Sequence, residues 1–308
     1  MSAHGEARRS AQEPQKAREG GILEAWWTGW RVAFGMPGIL ALKWLVNLSF
    51  AAAAVLPTAL LLANHLGHSA VGEEAFETLG TDIVLEFAVA AGPQLRLAAL
   101  TSAPIGLAYL FVNLYLTGGI LHRLRAGVRE PWGEFFRSCQ RHFWPLVRVG
   151  LFTALLAAAL LGPSVYGLAR LVEALTEDAA APQPLVYLTW LHWVILFFLA
   201  TWVARAYDYA RIAVFLQPGG SARRAFLRAL AFTLRRGTKT LVLWLLLVVP
   251  APALTALFAT TSVANGVETT GAMCASVALG QALLLLRILG SFAALGGQMR
   301  FMPRAQRP

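Results

Sequence analysis

The segment Arg205-x-x-Asp208-x-x-Arg211 concentrates charge in a chain that is otherwise poor in it. A spacing of three places neighbours on one helical face, so Asp208 can pair with either arginine. Two readings follow. One is a local salt bridge that closes a helix end. The other is a headgroup-phosphate site in which the arginines clamp oxygens bidentately. A second group consists of Arg287, Asn113 and Asn47, each inside or beside a long apolar run. Ionisable residues at membrane depth are costly and mark functional positions by default. Arg287 lies 13 residues before Arg300, about 20 Å at 1.5 Å per residue. The expectation is that Arg287, Asn113 and Asn47 face a bundle interior and share a polar cluster or cleft. The alternative is that Arg287 bonds backbone carbonyls and locks helix packing.

Other chemistry is sparse. His65 and His68 precede Glu73, Glu74 and Glu77, a spacing compatible with metal ligation but equally with a solvated loop. The two cysteines, Cys139 and Cys274, are expected to stay unpaired. There is no P-loop, H-E-x-x-H, nucleophile elbow or paired-cysteine signature. Asp208 has no second carboxylate beside it for paired acid–base work. The sequence therefore suggests a non-enzyme with no metal and no cofactor.

The elements that must position these residues are six runs free of Asp, Glu, Lys and Arg. They cover residues 44–64, 97–121, 149–169, 179–204, 240–267 and 269–286. Apolar residues make up 57% of the chain and charged residues 14%, far from the roughly 25% charged of a soluble domain. A bilayer core takes about 20 apolar residues as a helix, and every backbone group there must be paired internally. The predicted fold is an all-α integral membrane bundle of six transmembrane helices. A polar tail, 1–20, is expected to be disordered and the remainder, 21–303, to form a single transmembrane domain.

The net charge of +10 has a clear address. Of the 26 Lys and Arg residues, 22 lie before the first run, between the second and third, between the fourth and fifth, or after the sixth. The opposite loops hold only Arg96 and Arg170, and Lys43 and Arg287 complete the set. This asymmetry predicts a multi-pass protein with both termini cytoplasmic. The basic residues then meet anionic headgroups, and no nucleic acid is implied.

Three basic segments are alike. GILEAWWTGWRVAF and EPWGEFFRSCQRHFW align with Glu24 on Glu134, Trp26 on Phe136, Arg31 on Arg141 and Phe34 on Trp144. SARRAFLRALAFTLRRG matches more loosely. Each interleaves Arg with aromatic or Leu residues at helical spacing, the pattern of an amphipathic interfacial helix. The chain thus parses as three hairpin units, each an elbow, an outward span, a loop and an inward span. Prolines at 57, 104, 163, 250 and 252 are expected to interrupt spans, and Ser276-x-x-x-Gly280 and Gly290-x-x-x-Ala294 to mark close helix contacts.

The elbow pattern, with YLTGGILHRLRAG at 115–127 and RAYDYARIAVFLQ at 205–217, resembles the membrane domain of bacterial glycerophosphoryl diester phosphodiesterases. It also resembles uncharacterised polytopic bacterial membrane proteins of the same pattern. The activity of that family belongs to a separate soluble domain for which this chain has no room. The resemblance implies architecture and a bacterial inner-membrane setting rather than catalysis. The first functional expectation is a protein that organises or handles lipid or scaffolds an envelope complex with a membrane-protein partner. The alternative is a small-solute transporter or permease subunit with a mid-membrane polar site.

Overall fold

In a computed structural model the described residues are 21–67, 91–126, 131–176, 183–217, 219–249, 253–254, 256 and 270–302. Among them there is no strand. Eight helices follow one another among the described residues: α1 Ile22–Phe34, α2 Pro37–Gly67, α3 Gly92–Ala126, α4 Trp132–Thr176, α5 Gln183–Leu216, α6 Ala222–Arg235, α7 Gly237–Val248 and α8 Thr270–Phe301. Five stretches are long and apolar enough to cross a membrane: Pro37–Leu61, Gly92–Ala126, Trp132–Leu171, Tyr187–Leu216 and Cys274–Phe301. The described chain is therefore all-α and has the make-up of a multi-pass membrane protein. The remaining expected span, 240–267, begins as α7, with the shorter apolar stretch Gly237–Leu246, and most of its later part lies outside the described residues. The tail 1–20, the segment 68–90 with His68 and the three glutamates, and Pro250 and Pro252 also lie outside them.

The prolines at 57, 104 and 163 do not break their helices: α2, α3 and α4 run through them. In a segment that cannot exchange backbone bonds with water, local readjustment is cheaper than unwinding. Helices do stop at two junctions that contain a glycine. The α1–α2 break falls at Gly35 and Met36, before Pro37, whose ring disfavours helix in the residue preceding it. The α6–α7 break falls at Arg236, before Gly237. The second elbow has Pro145 but no glycine at this point, and α4 continues from Trp132 to Thr176 without a break. The expectation of three separate elbow helices is thus corrected: two are separate and the second is the first turns of α4. At 45 residues α4 is about 68 Å long, more than twice the hydrocarbon thickness.

The chain divides into two compact units. Unit I comprises Met1–Ala33, Trp144–Val248 and Phe292–Pro308; unit II comprises Phe34–Phe143 and Val249–Ser291. Within unit I, α1 buries Ala25, Gly29 and Ala33, a small residue every fourth position. A side chain at Gly29 would meet the Ala293 carbonyl oxygen and the Gly297 nitrogen, so α1 crosses the end of α8 at backbone contact distance. Also in unit I, α6 packs along α5, with Tyr209 edge-on to Phe232 at 5.0 Å between ring centroids. Within unit II, the Gly118–Gly119 pair of α3 receives the start of α4: a side chain at Gly119 would meet the Phe135 ring and, at 2.6 Å, the Cys139 sulfur. By contrast Gly280 has no atom of the described residues within 4 Å of where its side chain would be.

Some positions of the three elbows share their burial, while others, such as Trp26, Phe136 and Phe226, do not. Ala25, Phe135 and Ala225 are buried, as are Gly29, Cys139 and Ala229. Phe34, Trp144 and Leu234 are all exposed, and so are Trp27, Arg137 and Leu227. The offsets are 110 and 200 residues throughout, the first being the offset that puts Glu24 on Glu134.

Candidate functional site

Two polar clusters stand out, one in each unit. In unit I, Arg205, Asp208 and Arg211 lie near the end of α5. The expected pairing of Asp208 with either arginine resolves in favour of Arg211, whose Nη2 donates to Asp208 Oδ1. The same guanidinium lies 4.2 Å from the centroid of the Tyr207 ring. The other carboxylate oxygen, Oδ2, accepts from Gln298 Nε2 of α8 at 3.3 Å. Asp208 is thus held from two helices.

Arg205 turns the other way. It is 5% exposed, and it donates through Nε to the Thr201 carbonyl at 3.4 Å. Through Nη1 it reaches the Gly237 carbonyl at 2.9 Å and Thr240 Oγ1 at 3.2 Å. Thr240 in turn donates to the carbonyls of Arg236 and Gly237, both at 3.0 Å. Arg205 therefore ties α5 to the first turn of α7, just past the break where α6 ends. The two arginines do not converge on one point, so the fold does not present them as a bidentate clamp.

In unit II the seam between α2 and α3 carries the second cluster. Lys43 Nζ donates to Asn113 Oδ1 and lies 5.4 Å from the Tyr109 ring centroid. Tyr109 Oη donates to Asn47 Oδ1 at 3.0 Å. Further along, Ser102 Oγ donates to the Ala54 carbonyl at 3.1 Å. Each of these pairs, 43 with 113, 47 with 109 and 54 with 102, sums to 156, so one antiparallel register holds along the seam. Trp44 Nε1 donates to Gln281 Oε1 at 2.9 Å, which brings the unit II part of α8 to the same cluster.

The structure therefore joins Asn113 and Asn47 through Lys43 and Tyr109. Arg287 is exposed, and its described contacts include neither asparagine. The α8 residue that reaches this cluster is Gln281, six positions earlier. Sequence reasoning missed Lys43 because it stands at the very edge of a charge-free run and looks like a flank. The signal that could have found it is its place in the series 43, 47, 50, 54, one face of a helix at steps of four and three.

Beyond Ser102 the seam opens into a groove of about 700 Å³. Pro57, Leu60, Leu61, Leu97, Ala98 and Thr101 are among its lining, which is largely apolar and includes neither Lys43 nor Arg287. Cys139 is buried and Cys274 exposed, and both are free thiols. Among the described residues no group of three His, Cys, Asp or Glu is arranged to hold a metal ion.

No family model, curated protein or solved structure matches the chain. The likeness to the phosphodiesterase membrane domain accordingly rests on the sequence patterns quoted above.

Proposed function

We propose that this is a non-enzymatic membrane protein of three repeated hairpins that organises anionic lipid at its basic, cytoplasmic face in a bacterial inner membrane. The observation that carries the reading is the outer face of α6. One side of that helix is packed away through Ala222, Ala225, Phe226, Ala229 and Phe232. The other side exposes Leu227 (51%) and Leu234 (63%) beside exposed Arg224, Arg228 and Arg235. Leucines that reach hydrocarbon next to arginines that reach phosphates fit a helix lying in the headgroup layer. The first and second elbows repeat the arrangement with Trp27, Phe34 and Arg31, and with Trp132, Phe136 and Arg137.

The test is the composition of lipid retained by the full chain after purification in mild detergent. Enrichment of anionic over zwitterionic lipid, reduced in the triple variant Arg224→Gln/Arg228→Gln/Arg235→Gln, is the expected result. Retention that mirrors the bulk membrane in both proteins would sink the proposal. A solute permease is the second reading. The buried Lys43–Asn113 pair favours it, and the apolar lining of the groove does not.

A further inference from the structure

We infer that the exposed stripe of α1, made by Leu23, Trp27 and Phe34, is an interfacial anchor that inserts among lipids whatever their headgroup charge. The inference rests on the reading of the elbows as lipid-facing helices and is independent of anionic enrichment at α6.

The stripe is a product of helical spacing. Positions 23, 27, 31 and 34 recur at steps of four, four and three and so share one side of α1. Leu23 is 73% exposed, Trp27 60% and Phe34 67%. Ala25, Gly29 and Ala33 occupy the opposite side and are buried. Gly29 lies at backbone contact distance from Ala293 and Gly297 of α8, so the small side of α1 is fixed and the large side is turned outward. A contiguous surface of large apolar side chains gains by leaving water.

Two ties set what that surface meets. Only Gly35 and Met36 separate α1 from Pro37, where the first membrane-length stretch begins. Ala293 and Gly297 belong to another such stretch, Cys274–Phe301, and stand eight and four residues from its end. Both ties hold α1 at the end of a membrane-length helix, where a chain passes between water and hydrocarbon. Tryptophan, an apolar body with one N–H, is enriched at such interfaces.

Charge decides the kind of lipid. α1 carries one acid and one base, Glu24 and Arg31, both exposed, and their charges cancel. α6 carries Arg223, Arg224, Arg228 and Arg235, all exposed, and no acid. Its aromatic residues, Phe226 and Phe232, are buried. Attraction to anionic headgroups follows uncancelled positive charge, so it acts on α6 and leaves α1 indifferent. α1 binds through apolar area, for which phosphatidylcholine and phosphatidylglycerol offer the same hydrocarbon.

The experiment attaches a nitroxide label to the full chain in Trp27→Cys, in Leu23→Cys and, for comparison, in Leu227→Cys. Each carries Cys274→Ser, because Cys274 is exposed and Cys139 is buried. The proteins are reconstituted into vesicles of phosphatidylcholine, alone or mixed with phosphatidylglycerol, at low and high salt. Relaxation of the label by oxygen, which concentrates in hydrocarbon, is compared with relaxation by a water-soluble nickel chelate. At positions 27 and 23 oxygen should dominate, and the ratio should be the same in both vesicles and at both salt concentrations. At position 227 the ratio should rise with phosphatidylglycerol and fall as salt screens the arginines. The inference is overturned if the chelate dominates at 27 and 23, or if their ratio follows phosphatidylglycerol and salt as at 227. It is also overturned if both relaxers are excluded there, because a protein surface would then cover the stripe. A flat response at 227 with no anionic enrichment would reject the proposed function, and oxygen dominance at 27 and 23 would leave the anchor standing. Anionic enrichment with chelate-dominated labels at 27 and 23 would do the reverse.

Discussion

In unit I the charge of Arg211 meets a carboxylate, that carboxylate meets an amide from α8, and Arg205 is spent on the carbonyl and hydroxyl of the next helix. In unit II an ammonium meets an amide oxygen and the face of a phenol, on a seam that also joins Tyr109 to Asn47 and Ser102 to the Ala54 carbonyl. Both clusters lie beside helices long and apolar enough to span a bilayer. The first uses its charges to connect three helices. The second sets a cation into the seam between α2 and α3. What separates them is the kind of contact: Arg211 is balanced by a carboxylate, whereas Lys43 meets an amide oxygen and the ring of a phenol.

That contrast can be broken by mutation, and the largest effect is expected at Asp208. Asp208→Ala deprives the half-buried Arg211 of its counter-charge and Gln298 of its acceptor. Unfolding free energy measured by denaturant titration should fall by about 3–5 kcal/mol. A loss below about 1 kcal/mol would mean that the pair is solvated and that unit I does not depend on it.

Asn113→Leu should cost about 1–3 kcal/mol, because it takes the acceptor from a buried ammonium. Most of that cost should vanish in the Lys43→Leu/Asn113→Leu double variant. A double-mutant cycle in which the two substitutions simply add would show that the bond contributes nothing.

The helix crossings give a third comparison. Gly29→Ala drives a methyl group into the Ala293 carbonyl and should cost about 1–3 kcal/mol. Gly280→Ala, with no described atom beside it, should be neutral or raise stability by up to about 1 kcal/mol through helix propensity. Equal thermal midpoints for these two variants would contradict the close approach of α1 to α8.

The smallest effect is expected at Arg228. Arg228→Gln should change unfolding in detergent by no more than about 0.5 kcal/mol, since the side chain is exposed. It should nevertheless reduce the preference for anionic vesicles by about 1 kcal/mol, read from reconstitution into membranes of graded surface charge.

Much of this architecture could be read directly from residue order. The absence of charge over some twenty residues at a time dictates helices that pair their own backbone, and the elbows declare themselves by Arg alternating with Trp, Phe and Leu. Periodicity also carried the alignment of Glu24 with Glu134, at whose offset Ala25 and Gly29 are buried like Phe135 and Cys139. The candidate sites were less legible. Asp208 has an arginine three residues away on either side, and spacing alone cannot choose between them. The choice was made by Gly237 and Thr240, which draw Arg205 away, and by Gln298, which is ninety residues from Asp208. Arg287 looked central because depth along a helix can be counted from sequence. Which way a side chain faces depends on the neighbouring helices, and here Gln281 rather than Arg287 reaches Trp44.

The sequence by itself determined the apolar, all-helical class and where along the chain arginine gathers, because those follow from hydrophobicity and charge summed over many residues. Tertiary structure alone decided which polar groups meet. A hydrogen bond between α2 and α3 depends on the register of two distant segments, and a shift of one residue would turn Lys43 by about 100° away from Asn113. Local composition does not encode that register; close packing of the α2 and α3 faces sets it.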